Sequence, residues 1–207
     1  MMFMLAVAAA PAASAAAVEV VARDSAGQPV ADAAIYLVSA SGGSEARSQR
    51  TVAVEQVDRE FVPYVSVIQV GTVVTFPNRD PILHHVYSFS PAKPFEIKLY
   101  SGKSPTEVLF DHAGVVTLGC NIHDWMVGYI VVVPTPHFAR TDATGVARLR
   151  DLPAGPYELR AWHPQQRAAV AAQPLTLAAT ASASAVVDFV LQPRKAKYKP
   201  PLDRLKY

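Results

Sequence analysis

The chain has 207 residues, of which 51% are apolar and 17% are charged, with a formal net charge of +2. This composition supports a packed core, and it excludes both a disordered polyelectrolyte and a nucleic-acid binder that relies on bulk positive charge. Its single cysteine, Cys120, excludes an intrachain disulfide. Proline (17 residues) outnumbers glycine (10), which favours β structure with many turns.

The N-terminal segment, residues 1–17, is rich in alanine and ends in an Ala-x-Ala motif. This pattern predicts a secretory signal peptide that is cleaved near Val18, and therefore a periplasmic or secreted protein. A buried N-terminal helix is the alternative. We expect no membrane span, because Pro11 interrupts this short stretch and nothing later in the chain is long and apolar enough.

Short runs rich in Val, Ile, Tyr, Phe and Thr follow one another from Val18 to Phe189, separated by Gly, Pro and Asn. Such runs are typical of β-strands, and no apolar stripe with helical spacing is sustained. The sequence therefore predicts an all-β fold.

The C-terminal segment, residues 194–207, carries six basic residues and one acidic residue. It is either a solvated end or an arm that docks an acidic surface. Binding that depends on salt and is lost on removal of the segment would favour the arm.

The most informative segment is residues 119–126, GCNIHDWM, between two strand-like runs. A strand–loop–strand unit of this kind can direct the sulfur of Cys120, the imidazole of His123 and the thioether of Met126 at one point. Together these donors suit copper, because Cu(I) prefers soft sulfur and Cu(II) accepts nitrogen. A thioether is not among the usual zinc ligands, so Met126 argues against zinc.

Such a site needs a second histidine from elsewhere in the fold. The candidates are His84, His85, His112, His137 and His163. The last three lie in turns or linkers, where a surface or hydrogen-bonded role is the ordinary interpretation. Successive side chains of a strand face opposite ways, so His84 and His85 cannot easily reach the same ion.

Three motifs occur in the order typical of blue-copper cupredoxins: Asn78-x-Asp80, His84-His85-Val86 and Cys120-x-x-His123-x-x-Met126. The spacing in the third motif resembles that of amicyanin, whereas plastocyanin-like proteins have a longer loop. The resemblance implies His84, Cys120 and His123 as equatorial ligands of one mononuclear type 1 copper ion, with Met126 as the weak axial ligand. The family usually has asparagine where this sequence has His85.

The resemblance also implies a function, which is the transfer of single electrons between redox partners without enzymatic activity. Its expected partner is a dehydrogenase or a cytochrome, with the exposed edge of His123 as the electron port. We expect Asn78, His85 and Asp124 to surround the ligands, with His85 bonding the Cys-bearing loop. Asp124 lowers the reduction potential if its carboxylate faces the ion, or else it caps a turn. Trp125 either covers the site or fills core.

A second set of motifs resembles the carboxypeptidase-regulatory-like, transthyretin-like sandwich: Asp24-x-x-Gly27-x-Pro29-Val30, Thr141-Asp142-x-x-Gly145 and Leu152-Pro153-Ala154-Gly155. We therefore predict a Greek-key cupredoxin domain at 46–136, inserted in or fused to a small β-sandwich formed by 18–45 and 137–193. Alternatively, the first strands belong to the cupredoxin itself. The combination resembles proteins of the methylamine-utilisation type, a label that does not establish a role in amine oxidation here.

Three other functions compete with electron transfer. The first is copper delivery or storage with the same ligands, and the second is a non-redox binding module whose site holds no metal. The third is a cysteine hydrolase, which we disfavour because Cys120 and His123 leave no evident orienting group and no oxyanion site.

Overall fold

The computed structural model describes residues 16–41, 46–103, 106–179 and 181–193, and within these ranges all regular secondary structure is β-strand. The all-β prediction is confirmed. None of the described residues belongs to a helix that could span a membrane. Most of the predicted signal peptide and all of the basic C-terminal segment lie outside the described residues, but Ala16 and Ala17 begin the first strand.

The described residues form seventeen strands. In chain order they are β1 (Ala16–Asp24), β2 (Ala34–Ser39), β3 (Thr51–Ala53), β4 (Glu55–Val57), β5 (Glu60–Val62), β6 (Val65–Gln69), β7 (Thr72–Thr75), β8 (His84–Ser88), β9 (Phe95–Tyr100), β10 (Val108–Phe110), β11 (Gly114–Gly119), β12 (Val127–Val133), β13 (Phe138–Arg140), β14 (Val146–Leu152), β15 (Gly155–Trp162), β16 (Gln173–Leu177) and β17 (Ser182–Phe189).

The strands from the two ends of the described chain pair with one another. They form a three-stranded sheet of order β14-β1-β17 and a four-stranded sheet of order β13-β2-β15-β16. Val18 and Val20 of β1 alternate with outward-facing residues and share one core with Leu37, Leu159 and Phe189. We call this part the terminal sandwich; its assignment to the carboxypeptidase-regulatory-like family stays a prediction.

His163 follows β15 and is buried in the terminal sandwich, with its ring against Phe189. Burial lowers the pKa of this imidazole, although a backbone hydrogen bond to Ala31 and the charge of Asp32 oppose the shift. At a pH below the ordinary pKa of histidine, His163 therefore binds a proton in the unfolded chain but stays neutral in the folded chain. The free energy of unfolding consequently falls as the pH falls.

We expect His163→Gln to reduce this loss of stability by up to about 1.4 kcal/mol per pH unit. Urea unfolding of both proteins without metal, at about pH 7.5 and about pH 5.5, measures the difference on either side of the ordinary histidine pKa. Both proteins contain the other buried histidines, so the contributions of those histidines to the pH dependence of stability cancel. Equal pH dependence in the two proteins would contradict the role of His163.

The strands between the two terminal segments form a second core. A five-stranded sheet of order β6-β12-β11-β8-β9 packs with a three-stranded sheet of order β10-β7-β3 and the hairpin β4-β5. Phe61, Phe76, Phe110, Leu118 and Ile130 are fully buried or nearly so in this core. We call this part the central sandwich.

Strand β12 is buried on both faces, which explains its unbroken apolar run. Ile130 and Val132 point into the core of the central sandwich, whereas Val131 and Val133 pack with Ala34 of β2 in a separate cluster. This cluster joins the outer face of β12 to the terminal sandwich. The strand that follows the candidate ligand loop is therefore held from both sides.

Candidate metal centre

His84, Cys120 and His123 lie together at one end of the central sandwich. His84 is the first residue of β8, and Cys120 directly follows β11, the neighbouring strand. His123 lies in the turn before β12, where its carbonyl accepts a hydrogen bond of 2.8 Å from the Met126 N–H. Adjacent strands and one tight turn thus deliver three donor side chains to one place.

The donor atoms of these three residues face one another. The two Nδ1 atoms of His84 and His123 are 3.1 Å apart, and they lie 4.0 Å and 3.5 Å from the Sγ of Cys120. All three residues are buried. Ligand bonds of about 2.0–2.1 Å to nitrogen and about 2.3 Å to sulfur, as found for zinc, place the donors of a common ion roughly this far apart.

Met126 lies in the same core as Cys120, and both line one surface cleft. Two imidazoles, one thiol and one nearby thioether form a donor set that fits a type 1 copper ion.

Asp80 positions His84, a role that the sequence analysis did not assign. The Nε2–H of His84 donates to Oδ2 of Asp80 at 2.7 Å, which leaves Nδ1 facing Cys120. The same carboxylate accepts the backbone N–H groups of Asp58 and Arg59 in the β4-β5 turn, at 2.7 and 2.8 Å. A carboxylate that holds the far nitrogen of a ligand imidazole fixes both the tautomer and the orientation of the ring.

These hydrogen bonds decide the charge of Asp80. Burial alone would raise its pKa, but the bonds from His84 and from the two backbone N–H groups lower it overall. The carboxylate therefore stays ionised beside the ligand ring. In the sequence, Asp80 was marked by the Asn78-x-Asp80 motif and by its position four residues before a ligand histidine, neither of which assigned it this role.

We expect Asp80→Asn to weaken metal binding about 10- to 100-fold, because the amide has one acceptor oxygen where the carboxylate has two. A competition titration with a Cu(I) chelator measures the affinity. Asp188→Asn is the matched control, since Asp188 is exposed on the terminal sandwich and pairs with Arg23. Equal affinity in Asp80→Asn and the wild type would show that His84 is oriented without Asp80.

Asn78 holds the loop that delivers Asp80 and His84. Its Nδ2 donates to the carbonyls of Ile82 and Tyr100 at 2.7 and 3.0 Å, and its Oδ1 accepts the Asp80 N–H at 2.9 Å. Asn78 is buried, so these bonds are shielded from water. Its contribution to the site is through the backbone of this loop.

His85 bonds the Cys-bearing loop through its backbone and not through its side chain. The His85 ring points away from the cluster, and its Nε2 bonds Oε1 of Glu96 on β9 at 2.9 Å. Alternation along β8 is the physical reason, because it sends His84 inward and His85 outward. The backbone N–H of His85 faces the sulfur of Cys120, as do the backbone N–H groups of Ile122 and His123.

The expectation that an exposed edge of His123 serves as the electron port is wrong. His123 is 0% exposed, and its ring packs against Trp125 with centroids 5.1 Å apart. Burial lowers the pKa of His123 to about 4, with smaller contributions from His84 and Arg59. Trp125 packs against both the imidazole and the core of the central sandwich, and the buried ring stays neutral with a lone pair available for a metal.

The remaining residues from the sequence analysis lie around or outside the cluster. Asp124 is exposed on the rim of the cleft, where water screens its carboxylate. His112 is exposed beside Asp111, and His137 packs on Tyr157 of the terminal sandwich. Burial raises the pKa of the Cys120 thiol, although the three backbone N–H groups oppose the shift.

The chain has partial similarities to solved structures. No family model matches the chain, and no curated protein matches it. Among solved structures it is similar to a novel purple cupredoxin from Nitrosopumilus maritimus, at 24% identity over 41% of this chain and 100% of that one, with a TM-score of 0.35.

Two further similarities are to copper proteins. A copper-containing nitrite reductase from Thermus scotoductus SA-01 matches at 25% identity over 55% of this chain and 28% of that one, with a TM-score of 0.40. A mutant of amicyanin, in its reduced Cu(I) form at pH 4, matches at 19% identity over 49% and 99%, with a TM-score of 0.37. What this chain binds must be inferred from its own donor atoms.

Proposed function

We propose that this chain is a type 1 copper protein that carries single electrons between redox partners. The observation that supports it is the convergence of two histidine Nδ1 atoms and one cysteine Sγ within 3.1–4.0 Å in a buried position. Copper held by His84, Cys120 and His123, with Met126 as a weak fourth ligand, would supply reversible one-electron chemistry.

The chain holds its donors so that they need little movement when the charge of the site changes. His84 is oriented by Asp80, and backbone N–H groups surround the Cys120 sulfur. Strand β12 anchors the end of the ligand turn from both faces. A donor set that is fixed in advance favours electron transfer, because rearrangement opposes each transfer.

We further propose that the protein has no enzymatic activity of its own. His84 and His123 are fully buried, and Cys120, which lines the surface cleft, is 4% exposed, so the fold leaves little donor surface for a substrate to coordinate. The natural partner would be another redox protein, a dehydrogenase or a cytochrome. The predicted signal peptide supports a periplasmic or secreted location, and the basic segment 194–207 would dock an acidic surface.

The test is to add one equivalent of copper to the full chain and record visible absorption, electron paramagnetic resonance and voltammetry. We expect an intense visible band and a reversible one-electron wave. Cys120→Ser should lose the band, because the band requires the thiolate. Absence of colour and of copper binding in the wild type would favour a binding module. Rapid transfer of Cu(I) to an apo-acceptor without a reversible wave would favour copper delivery.

A further inference from the structure

The turn between β4 and β5 places a buried cation near the donor cluster. Because Val57 pairs with Glu60, the turn consists of two residues, Asp58 and Arg59. Arg59 is 9% exposed, and its guanidinium stays protonated in a folded protein. Arginine is seldom buried to this extent, because its charge loses hydration. The burial of Arg59 therefore indicates a role for this side chain inside the fold.

The backbone of the same turn departs from the ordinary preference of these residue types. Asp58 and Arg59 have φ angles of 52° and 59°, as the two central residues of a type I′ turn require. Glycine is favoured at the second position, because a Cβ is strained in the left-handed region. Strain of this kind is concentrated at functional sites. Arg59 thus occupies a position that favours glycine, and it does so beside the candidate metal centre.

Asp80 connects the turn to the ligand His84. One oxygen of its carboxylate, Oδ2, accepts the Arg59 backbone N–H at 2.8 Å and lies 2.7 Å from Nε2 of His84. His84 is fully buried, so its contact with the carboxylate is shielded from water. A single oxygen atom therefore links the backbone of Arg59 to the ligand ring.

The charge of Arg59 acts on both ligand imidazoles. Burial lowers the pKa of His84 and of His123, and the positive charge of Arg59 lowers each pKa further. A cation that disfavours a proton on these rings also disfavours additional positive charge on an ion that the rings hold, because like charges repel. The guanidinium thus contributes positive potential at the place where the donor atoms converge.

We propose that Arg59 raises the reduction potential of the site by favouring Cu(I) over Cu(II). The inference rests on the proposed function. With the same thiolate and imidazole ligands, the Cu(II) site carries one positive charge more than the Cu(I) site, so a buried cation destabilises the oxidised form. Reduction adds one electron from the redox partner to the ion, and Arg59 itself is unchanged.

This assignment replaces the influence on the potential that the sequence analysis considered for Asp124. The Asp124 carboxylate is exposed, and water screens its charge. Arg59 is buried and has the opposite sign. The structure therefore favours a raised potential over a lowered one.

The experiment measures the midpoint potential of the copper-loaded full chain by voltammetry. We expect Arg59→Gln to lower the ratio of Cu(I) affinity to Cu(II) affinity about tenfold, which lowers the potential by about 59 mV for a one-electron couple. Arg59→Lys keeps the charge and should retain most of the wild-type potential. Both substitutions remove the guanidinium fork, so a difference between them reports the charge.

Arg59→Gly separates the charge from the backbone strain. It removes the same charge as Arg59→Gln but suits the positive φ, so both neutral variants should show the same fall in potential. Arg79→Gln is the matched control, because Arg79 directly precedes Asp80 but its side chain is 60% exposed and pairs with Glu55. Its potential should equal that of the wild type, since water screens this charge.

Separate competition titrations with a Cu(I) chelator and a Cu(II) chelator distinguish a charge effect from damage to the site. Loss of the cation should strengthen Cu(II) binding more than Cu(I) binding. Weaker binding of both ions in Arg59→Gln and Arg59→Gly would mean that Arg59 supports the shape of the site, and this result would overturn the inference. An equal fall in potential in Arg59→Lys and Arg59→Gln would overturn it as well.

The wild-type protein separates this inference from the proposed function. A wild type without a reversible copper wave would refute the proposed function, and the role of Arg59 with it. A reversible wave whose potential is the same in the wild type, Arg59→Gln and Arg59→Gly would refute only the role of Arg59.

Discussion

If the chain binds copper as proposed, we expect His84→Ala to lose the intense visible absorption of the copper-loaded protein and His85→Ala to retain it. His84 directs Nδ1 at the cluster and is 3.1 Å from Nδ1 of His123, but the His85 ring bonds Glu96 on the outer face. Loss of one of three strong donors leaves His123 and Cys120 without the geometry that a type 1 site requires. Visible and electron paramagnetic resonance spectra after copper addition measure the effect.

The two variants control each other, because they remove the same side chain from adjacent positions of one strand. Far-UV circular dichroism of both metal-free proteins would show that β8 still forms. Loss of the band in His85→Ala with retention in His84→Ala would exclude the proposed ligand set. Loss in both would show that the outer histidine also supports the site.

We expect Phe110→Ala to destabilise the metal-free protein by about 3–5 kcal/mol. Phe110 is fully buried in the core of the central sandwich, where its ring meets Phe95 edge-on with centroids 6.1 Å apart. Truncation removes this burial and leaves a cavity that neighbouring strands can fill only in part. Urea unfolding, followed by circular dichroism, measures the free energy of unfolding.

Leu109→Ala is the control for the Phe110→Ala prediction, because Leu109 is the preceding residue of β10 and is 47% exposed. Its substitution should change the free energy of unfolding by no more than about 0.5 kcal/mol. Equal effects of the two substitutions would mean that β10 does not face the core with Phe110.

The donor set of the site could be predicted from the sequence because it depends on residue types and short spacings. Cys120, His123 and Met126 lie within seven residues, between two strand-like runs, so a single turn brings them near one another. Alternation along a strand also places His84 and His85 on opposite faces, a separation that follows from their adjacency alone. It does not say which of them faces inward, because that depends on the register of β8 against its neighbours.

The supporting residues could not be predicted in the same way. Asp80 bonds both His84 and the backbone of the β4-β5 turn, and this turn lies more than twenty residues earlier in the chain. Contacts between distant segments leave no periodic pattern in one sequence. For the same reason, the burial of His123 beneath Trp125 contradicted the port that the family resemblance implied.

An all-β chain with a soft, mixed donor set could be inferred from the order of residues alone, because strand composition and ligand chemistry are local properties. The family resemblance indicated His84 as the histidine that joins Cys120, and the structure places it there. Which carboxylate orients His84, and which side of the site borders a surface cleft, became visible only in the folded chain. The structure also shows that β1 and β2 pair with strands more than a hundred residues later, between the two segments that the motif resemblance had placed in one sandwich. These features arise from packing between remote segments, where the distances between side chains are set by the whole fold.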